Sequence, residues 1–351
     1  MSLAGSRRLL VLGTWLFAVA LLLAACGGDD GDSAGSNPTT SSGSTTSSEL
    51  EPKSLTFMAG FKPQANLPFV GAYVAQEKGF FDELNLDVDI RHAQSGEHLQ
   101  LLLAGEVDVA TANAAQVIQR GAEGLPLVAV ALVGQKSEQG FAVGADSGIE
   151  SVSDWAGKTF GYKGSVPVEF LAIAAANGLD PDMVEQVKVS FDPRVLSEGQ
   201  VDILAVFVSN EPGTLDRIGY PVKVFDPSDF DIPVLGLTYI ASQDGIAGDP
   251  EAIGRFVRAA LKGVAYAAEH PEEALDIVMQ YAPQEDRTQQ EFMLTTELAR
   301  ANTALTQTNG YGWQTPEQWQ ALADALVEFD IIDTEVDVTK LFTTQFLGQK
   351  P

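Results

Sequence analysis

From Ser54 onward, short apolar runs alternate with longer segments of helical period, and this alternation leaves few folds open. Runs at 55–60, around Val88 and Ile90, at 107–111 and at 127–133 have the length and bounding residues of buried strands. Between them the spacing of apolar residues predicts helices over 69–84 and 114–121. A further helix, capped by Ser95, carries Leu99, Leu102 and Leu103 on one face. A β-α-β-α-β-α-β run of this kind requires a mainly parallel sheet covered by helices on both faces. A second set follows, with strands at 141–143, 158–162, 187–191 and 203–207. It includes a Ser151/Asp154 capping box, a helix capped by Ser165 that runs to Asn177, and a helix over 211–218. A strand at 237–240 returns toward the first set. Helices over 250–269, 271–281, 285–302 and 316–329 then make a helical C-terminal part. About 300 residues are long for one core. The expected fold is therefore α/β, with one lobe from 54–138 and 238–351 and a second from 139–237. The two crossings between them, near 135–142 and 232–240, would act as a hinge.

Ahead of the lobes, Arg7 and Arg8 precede an apolar stretch over 9–23 that ends in Ala24-Ala25-Cys26. That stretch is short for a bilayer span, which takes about 20 apolar residues. It resembles a bacterial lipobox, which implies a signal peptide over 1–25 and a diacylated Cys26. Residues 26–53 are rich in Gly, Ser, Thr and Asp and read as a flexible tether of roughly 25–30 Å mean span. The expected location is the outer face of the cell membrane, reached through the lipid alone.

Composition then excludes several classes of function. The net charge is −27, which opposes binding to nucleic acid or to anionic lipid. Cys26 is the only cysteine, so no disulfide, redox pair or thiolate metal site is expected. His92, His98 and His270 do not cluster in sequence, and no P-loop, G-x-S-x-G or H-E-x-x-H motif is present. We expect no catalytic residue, no metal, no cofactor and a monomeric body.

Several segments carry a resemblance. Pro68-Phe69-Val70-Gly71-Ala72-Tyr73-Val74-Ala75-Gln76-Glu77-Lys78-Gly79-Phe80-Phe81 is similar to a segment of the THI5-like bacterial solute-binding proteins. So are Gly96-Glu97-His98-Leu99-Gln100, Leu103-Ala104-Gly105-Glu106-Val107-Asp108, Asp154–Tyr162 and Gly199-Gln200-Val201-Asp202. The resemblance spans roughly 55–300. It implies a type II periplasmic-binding-protein fold and a receptor role beside an ABC permease and its ATPase. The family takes up thiamine pyrimidine precursors, alkanesulfonates and riboflavin. The Phe61–Phe69 and Gln94–His98 segments, with Phe191-Asp192-Pro193-Arg194 and Ser209-Asn210-Glu211-Pro212, look most like the riboflavin-importer receptors. A pyrimidine-precursor receptor is the alternative. A pyrimidine-metabolising enzyme is a third reading, opposed by the lack of any cysteine after Cys26. The acidic balance disfavours sulfonates.

A planar heteroaromatic ligand needs flat walls and a few polar groups aimed at ring nitrogens and carbonyls. Phe61, Gln64, Asn66 and Phe69 follow the first strand and are candidates, although Phe69 would serve equally as a helix staple. Gln94 and Ser95 follow the second strand, and Asn113 follows the third. On the second lobe Tyr162 and Ser165 flank a glycine turn with free N–H groups. Asn210 and Glu211 open a helix at a strand's carboxyl end, where the helix dipole alone favours an acid. Tyr239, on the returning strand, would close an aromatic sandwich. Trp155 and Trp319 fit core positions better.

Overall fold

The computed structural model describes residues 50–94 and 96–348. Cys26, the leader, most of the tether and Ser95 therefore lie outside the described residues. The first strands are β1 (Lys53–Ala59), β2 (Leu86–His92), β3 (Val109–Asn113) and β4 (Leu127–Leu132). The next set is β5 (Gln139–Gly144), β6 (Thr159–Tyr162), β7 (Glu185–Lys188), β8 (Ile203–Phe207) and β9 (Val222–Phe225), before the return of β10 (Leu237–Ser242). They form two five-stranded sheets, in the orders β2-β1-β3-β10-β4 and β7-β6-β8-β5-β9. β1 runs parallel to β2 and β3, while β10 is antiparallel to β3 and β4. The second sheet repeats the plan, with β6 parallel to β7 and β8, and β5 antiparallel to β8 and β9. Each sheet thus takes its one antiparallel strand directly after a crossing from the other.

Local sequence explains the layers. β4 is buried along its whole length, as its unbroken Leu-Val-Ala-Val-Ala-Leu run requires of a strand covered on both faces. Edge strand β2 alternates, with Leu86 and Val88 buried and Asp87 and Asp89 exposed. The helices between strands are α1 (Leu67–Glu77), α2 (His98–Leu103), α3 (Ala114–Ala122), α4 (Val168–Ala176), α5 (Arg194–Ser197) and α6 (Glu211–Arg217). After β10 come α7 (Gln243–Gly248), α8 (Pro250–Glu269), α9 (Pro271–Tyr281), α10 (Arg287–Ala301), α11 (Ala304–Asn309) and α12 (Pro316–Glu328).

The expected Ser151/Asp154 box forms, and so do two further caps. Asp249 accepts the Ala252 N–H at 3.0 Å, Thr315 and Gln318 form a capping box, and Asp154 accepts the Ser151 N–H at 2.8 Å. Asn113, a binding candidate in the sequence, instead caps α3. The expected helix over 69–84 is cut short instead. Gly79 takes φ +72° and the Phe80 N–H returns to the Ala75 carbonyl, a glycine-terminated helix end, with only a single 3₁₀ turn after it. Ser165 does not cap its helix, because α4 begins at Val168 with Pro167 in the capping position. β9 and the short α5, α7 and α11 have no counterpart in the sequence reading.

α1 and α8 cross where two glycines face each other. A Cβ on Gly263 would lie 2.1 Å from the Gly71 carbonyl oxygen, and one on Gly71 would lie 2.7 Å from that of Ala260. Backbone cannot yield as a flexible side chain does, so Gly263→Ala must pry the helices apart. We expect a loss of about 2–3 kcal/mol in urea unfolding, against a gain had the site been open helix.

Candidate functional site

The crossings run between β4 and β5 and between β9 and β10, and they are bonded to each other. The Val133 and Gly134 N–H groups donate to the Leu237 carbonyl at 3.0 and 2.8 Å, and the Gly236 N–H donates to Gly134 at 2.9 Å. In open α/β sheets ligands sit beyond the carboxyl ends of the strands. There the two sheets expose aromatic side chains. Phe61, after β1, is 51% exposed; Phe207, at the end of β8, is 50% exposed; Phe191, after β7, is 79% exposed. Lys163, after β6, lies 5.9 Å from the Phe191 ring centroid and forms an ion pair with the buried Glu211. Glu211 also accepts the Phe207 N–H at 2.7 Å, which ties the aromatic end of β8 to the start of α6.

His92 fixes Phe61 from below. Its Nδ1 lies 2.8 Å from the Phe61 carbonyl and its Nε2 lies 2.9 Å from the Tyr73 hydroxyl. The Phe61 carbonyl can only accept, so Nδ1 carries the hydrogen and Nε2 receives it from Tyr73. Tyr73 in turn stacks on Tyr281 at 4.1 Å between centroids. Burial lowers the imidazole's pKa, with the Phe61 carbonyl opposing. The native state therefore holds fewer protons than the unfolded one, and this site's contribution is lost as pH falls below about 6.5. A proton NMR titration is expected to place His92 below that value, and His92→Gln to flatten the fall in stability between pH 7 and 5.

The loops of the two sheets meet on α10. Glu297 Oε1 accepts from Asn66 Nδ2 at 2.7 Å and from Ser209 Oγ at 3.1 Å, while Oε2 accepts the Leu67 N–H at 2.6 Å. Two turns back, Gln290 Oε1 accepts the Ala65 N–H at 2.7 Å, and Gln289 Nε2 donates to Asn210 Oδ1 at 2.9 Å. Burial pushes the Glu297 carboxyl up, held back by these donors and by Arg300. Glu138, at the first crossing, is pushed up to about 8 by burial and then by the charge of Glu297. Asp226 also feels burial, but its ion pair with Arg300 wins and holds it below the usual carboxylate range.

The sequence candidates scatter across this arrangement. Phe61 and Glu211 stand at strand carboxyl ends, and Tyr162 is half-buried at the end of β6. Gln64 and Asn66 are buried; Gln64 donates to Asn66 and Asn66 donates to Glu297, so their amides are structural ties instead of free ligand donors. Phe69 is buried in α1 with its ring edge-on to His92 at 5.8 Å, a packing position and neither a staple nor a wall. Tyr239 is fully buried, edge-on to Phe57 and Phe256 at 5.7 and 5.3 Å; it belongs to the core and closes no sandwich. Asn113 spends its side chain capping α3 through Gln116, and Asn210 is held by Gln289. Gln94 and Ser165 are exposed. Arg194 is committed to Asp192 beside it. Phe191, Phe207, Lys163, His92, Glu297 and Arg300 were not among the site candidates. Glu297 had a signal: with Gln290 it interrupts the buried stripe of Met293, Leu294 and Ala301.

Two α/β lobes on paired sheets with swapped antiparallel strands, and aromatics at the strand ends, define a two-lobe solute-binding fold. The sequence over residues 66–274 matches the family described as "NMT1/THI5 like", and the chain belongs to it. It is 27% identical over 293 residues to the riboflavin-binding protein RibY of Chloroflexus aurantiacus, covering 80% of this chain and 83% of that one. It is also 27% identical over 305 residues to the formylaminopyrimidine-binding protein of Halalkalibacterium halodurans, covering 83% and 90%. The fold superposes on the periplasmic aliphatic sulphonate binding protein SsuA of Escherichia coli with a TM-score of 0.67. That pair is 15% identical over 85% of this chain and all of the other. Among the described residues no helix is long and apolar enough to cross a membrane.

Proposed function

We propose that this chain is the non-catalytic receptor of an ABC importer, anchored through Cys26, which captures riboflavin between its lobes for delivery to a permease. The observation that carries this reading is the set of exposed rings at strand carboxyl ends, Phe61 on one sheet and Phe191 and Phe207 on the other. Exposed phenylalanine rings at strand carboxyl ends are free to stack, and a tricyclic ring system offers area to several faces at once. The Lys163–Glu211 pair beneath Phe207 supplies a donor and an acceptor for the ring's carbonyls and imide N–H. RibY, named for riboflavin, covers most of the chain.

Titrating the purified protein with riboflavin and following flavin fluorescence tests this directly. Quenching at micromolar concentration is expected, and its absence would rule out the flavin. Phe207→Ala is expected to weaken binding about tenfold, the equivalent of about 1.4 kcal/mol, while leaving the urea midpoint in place. The second reading, a pyrimidine precursor, has the formylaminopyrimidine-binding relative behind it at equal identity. A single ring covers fewer of these faces, so a pyrimidine that displaces flavin at equal concentration would favour that reading.

A further inference from the structure

The two crossings meet α10 at one buried cluster of charge. Glu138 stands where the first crossing enters β5, and its Oε1 accepts the Leu237 N–H of the second crossing at 3.0 Å. The same oxygen would lie 2.6 Å from a Cβ on Gly134 and 2.4 Å from one on Gly236, so two glycines make room for the carboxyl between the crossings. α10 packs its Met293, Leu294 and Ala301 into the core shared with α1, α8 and α9. Its other side reaches the second sheet: Arg300 bonds Asp226, just past β9, and the Ser137 carbonyl, and Glu297 holds Ser209, just past β8. Glu169 of α4 joins the cluster through the Ser137 hydroxyl, which donates to it at 2.8 Å. Lys136, the neighbouring cation on the crossing, is half-buried.

One arginine thus faces the carboxyls of Glu138, Asp226 and Glu297, with Glu169 tied in only through Ser137. Asp226 holds Arg300 most directly, and Glu297 accepts three hydrogen bonds, which favour its charged form. Glu138 has the Leu237 N–H and the like charge of Glu297 beside it. It is the member that gains most from a proton. We propose that closing the lobes takes up one proton, held by Glu138 against Glu297, so that ligand capture strengthens as the medium turns acid. This rests on the reading of the chain as a two-lobe capture protein.

The sign follows from the two states. In the arrangement described, burial and Glu297 raise Glu138 to about 8. We take this arrangement, in which α10 holds Ser209 and Asp226, as the closed form; in the open form those bonds are broken, water reaches both carboxyls and Glu138 returns toward about 4.3. Between these values the closed form binds one proton more than the open form. Closure therefore weakens by up to about tenfold per pH unit as pH rises through that window, and is flat below it and above it.

Small-angle neutron scattering of the ligand-free full chain in contrast-matched detergent reads the closed-to-open ratio between pH 5 and 8.5. The ratio is expected to fall several-fold per unit in this range, and to become flat in Glu138→Gln, which keeps an oxygen for the Leu237 N–H. A flat ratio in the parent protein, or an unchanged slope in Glu138→Gln, overturns the proposal. Should Glu138→Gln not fold, Glu297→Gln removes the neighbouring charge and is expected to shift the transition to lower pH; an unshifted transition overturns the proposal as well. Riboflavin titrations at the same pH values separate the two readings. A proton-dependent ratio without flavin binding at any pH supports the latch and removes the flavin, whereas flavin affinity constant across the range counts against the latch alone.

Discussion

Trp155→Ala is expected to cost about 3–5 kcal/mol and to make urea unfolding biphasic, the second-sheet lobe melting first. Trp155 is fully buried and lies parallel to Phe170, with centroids 6.0 Å apart and planes 2° apart. The edges of Phe141 and Phe225 meet it at 5.5 and 5.3 Å, and Phe160 stacks on the far side of Phe170 at 4.2 Å. This aromatic cluster is a core separate from the one that joins α1, α8 and the first sheet. Truncating the indole leaves a cavity walled by rings that cannot collapse without losing their mutual contacts, so relaxation recovers little. The damage is local to one lobe, which is why the transitions should part. Trp155→Phe is expected to cost much less, because the buried indole N–H has no hydrogen-bond partner to lose. A single unfolding transition with the parent midpoint in Trp155→Ala would show that the lobe does not depend on this stack.

Much of the fold could be read from the chain because its layers rest on local patterns. An unbroken apolar run made β4, alternation made β2, and the Ser151/Asp154 box formed where it was expected. The errors have equally local causes. Gly79 sits inside a continuous apolar period, and only its positive φ reveals that the period changes hands there from helix to turn. β9 is four residues long and its Val-Lys-Val-Phe alternation becomes a strand only because β5 is there to pair with it. The site was less legible than the fold. Position after a strand is legible in sequence, and the structure does put Phe61, Tyr162 and Glu211 at strand carboxyl ends. It does not tell an amide that faces solvent from one that ties two loops, and Gln64, Asn66 and Asn210 proved to be ties. Glu297 and Arg300 come from α10, more than 80 residues beyond β8 in sequence, and no rule about strand ends reaches them. Tyr239 misled for a related reason: on β10 its ring faces the layer of α8, and its hydroxyl is satisfied by the Pro68 carbonyl deep in the core.

Arg300→Leu should be the most damaging single change at the meeting of the lobes, and its cost should depend on pH. The side chain is 14% exposed and its guanidinium holds Asp226 and the Ser137 carbonyl while facing Glu138 and Glu297. Removing one partner from a buried ion pair leaves the other charge without compensation, typically at about 3–5 kcal/mol. Here the stranded charge adds to carboxyls already pushed up by burial. Asp226 now owes its depressed pKa to Arg300, and that depression is a stabilisation present above its unfolded pKa of about 3.9 and lost on acidification through the lower folded value. Without the arginine only Ser228, whose N–H donates to Asp226 at 2.9 Å, still opposes burial, so Asp226 moves toward the behaviour of Glu138 and Glu297, which resist ionising in the native state. Such groups destabilise progressively as pH rises from the unfolded carboxylate range toward the raised folded values. The gap between parent and variant should therefore be wider at pH 8 than at pH 5, and urea unfolding at both values measures it. Arg300→Lys keeps a charge but not the two-pronged reach to Asp226 and Ser137, and should recover part of the loss at pH 8. A deficit in Arg300→Leu that is the same at both pH values would mean that Arg300 acts by filling space and bonding the Ser137 carbonyl, and that the carboxyls around it titrate without regard to its charge.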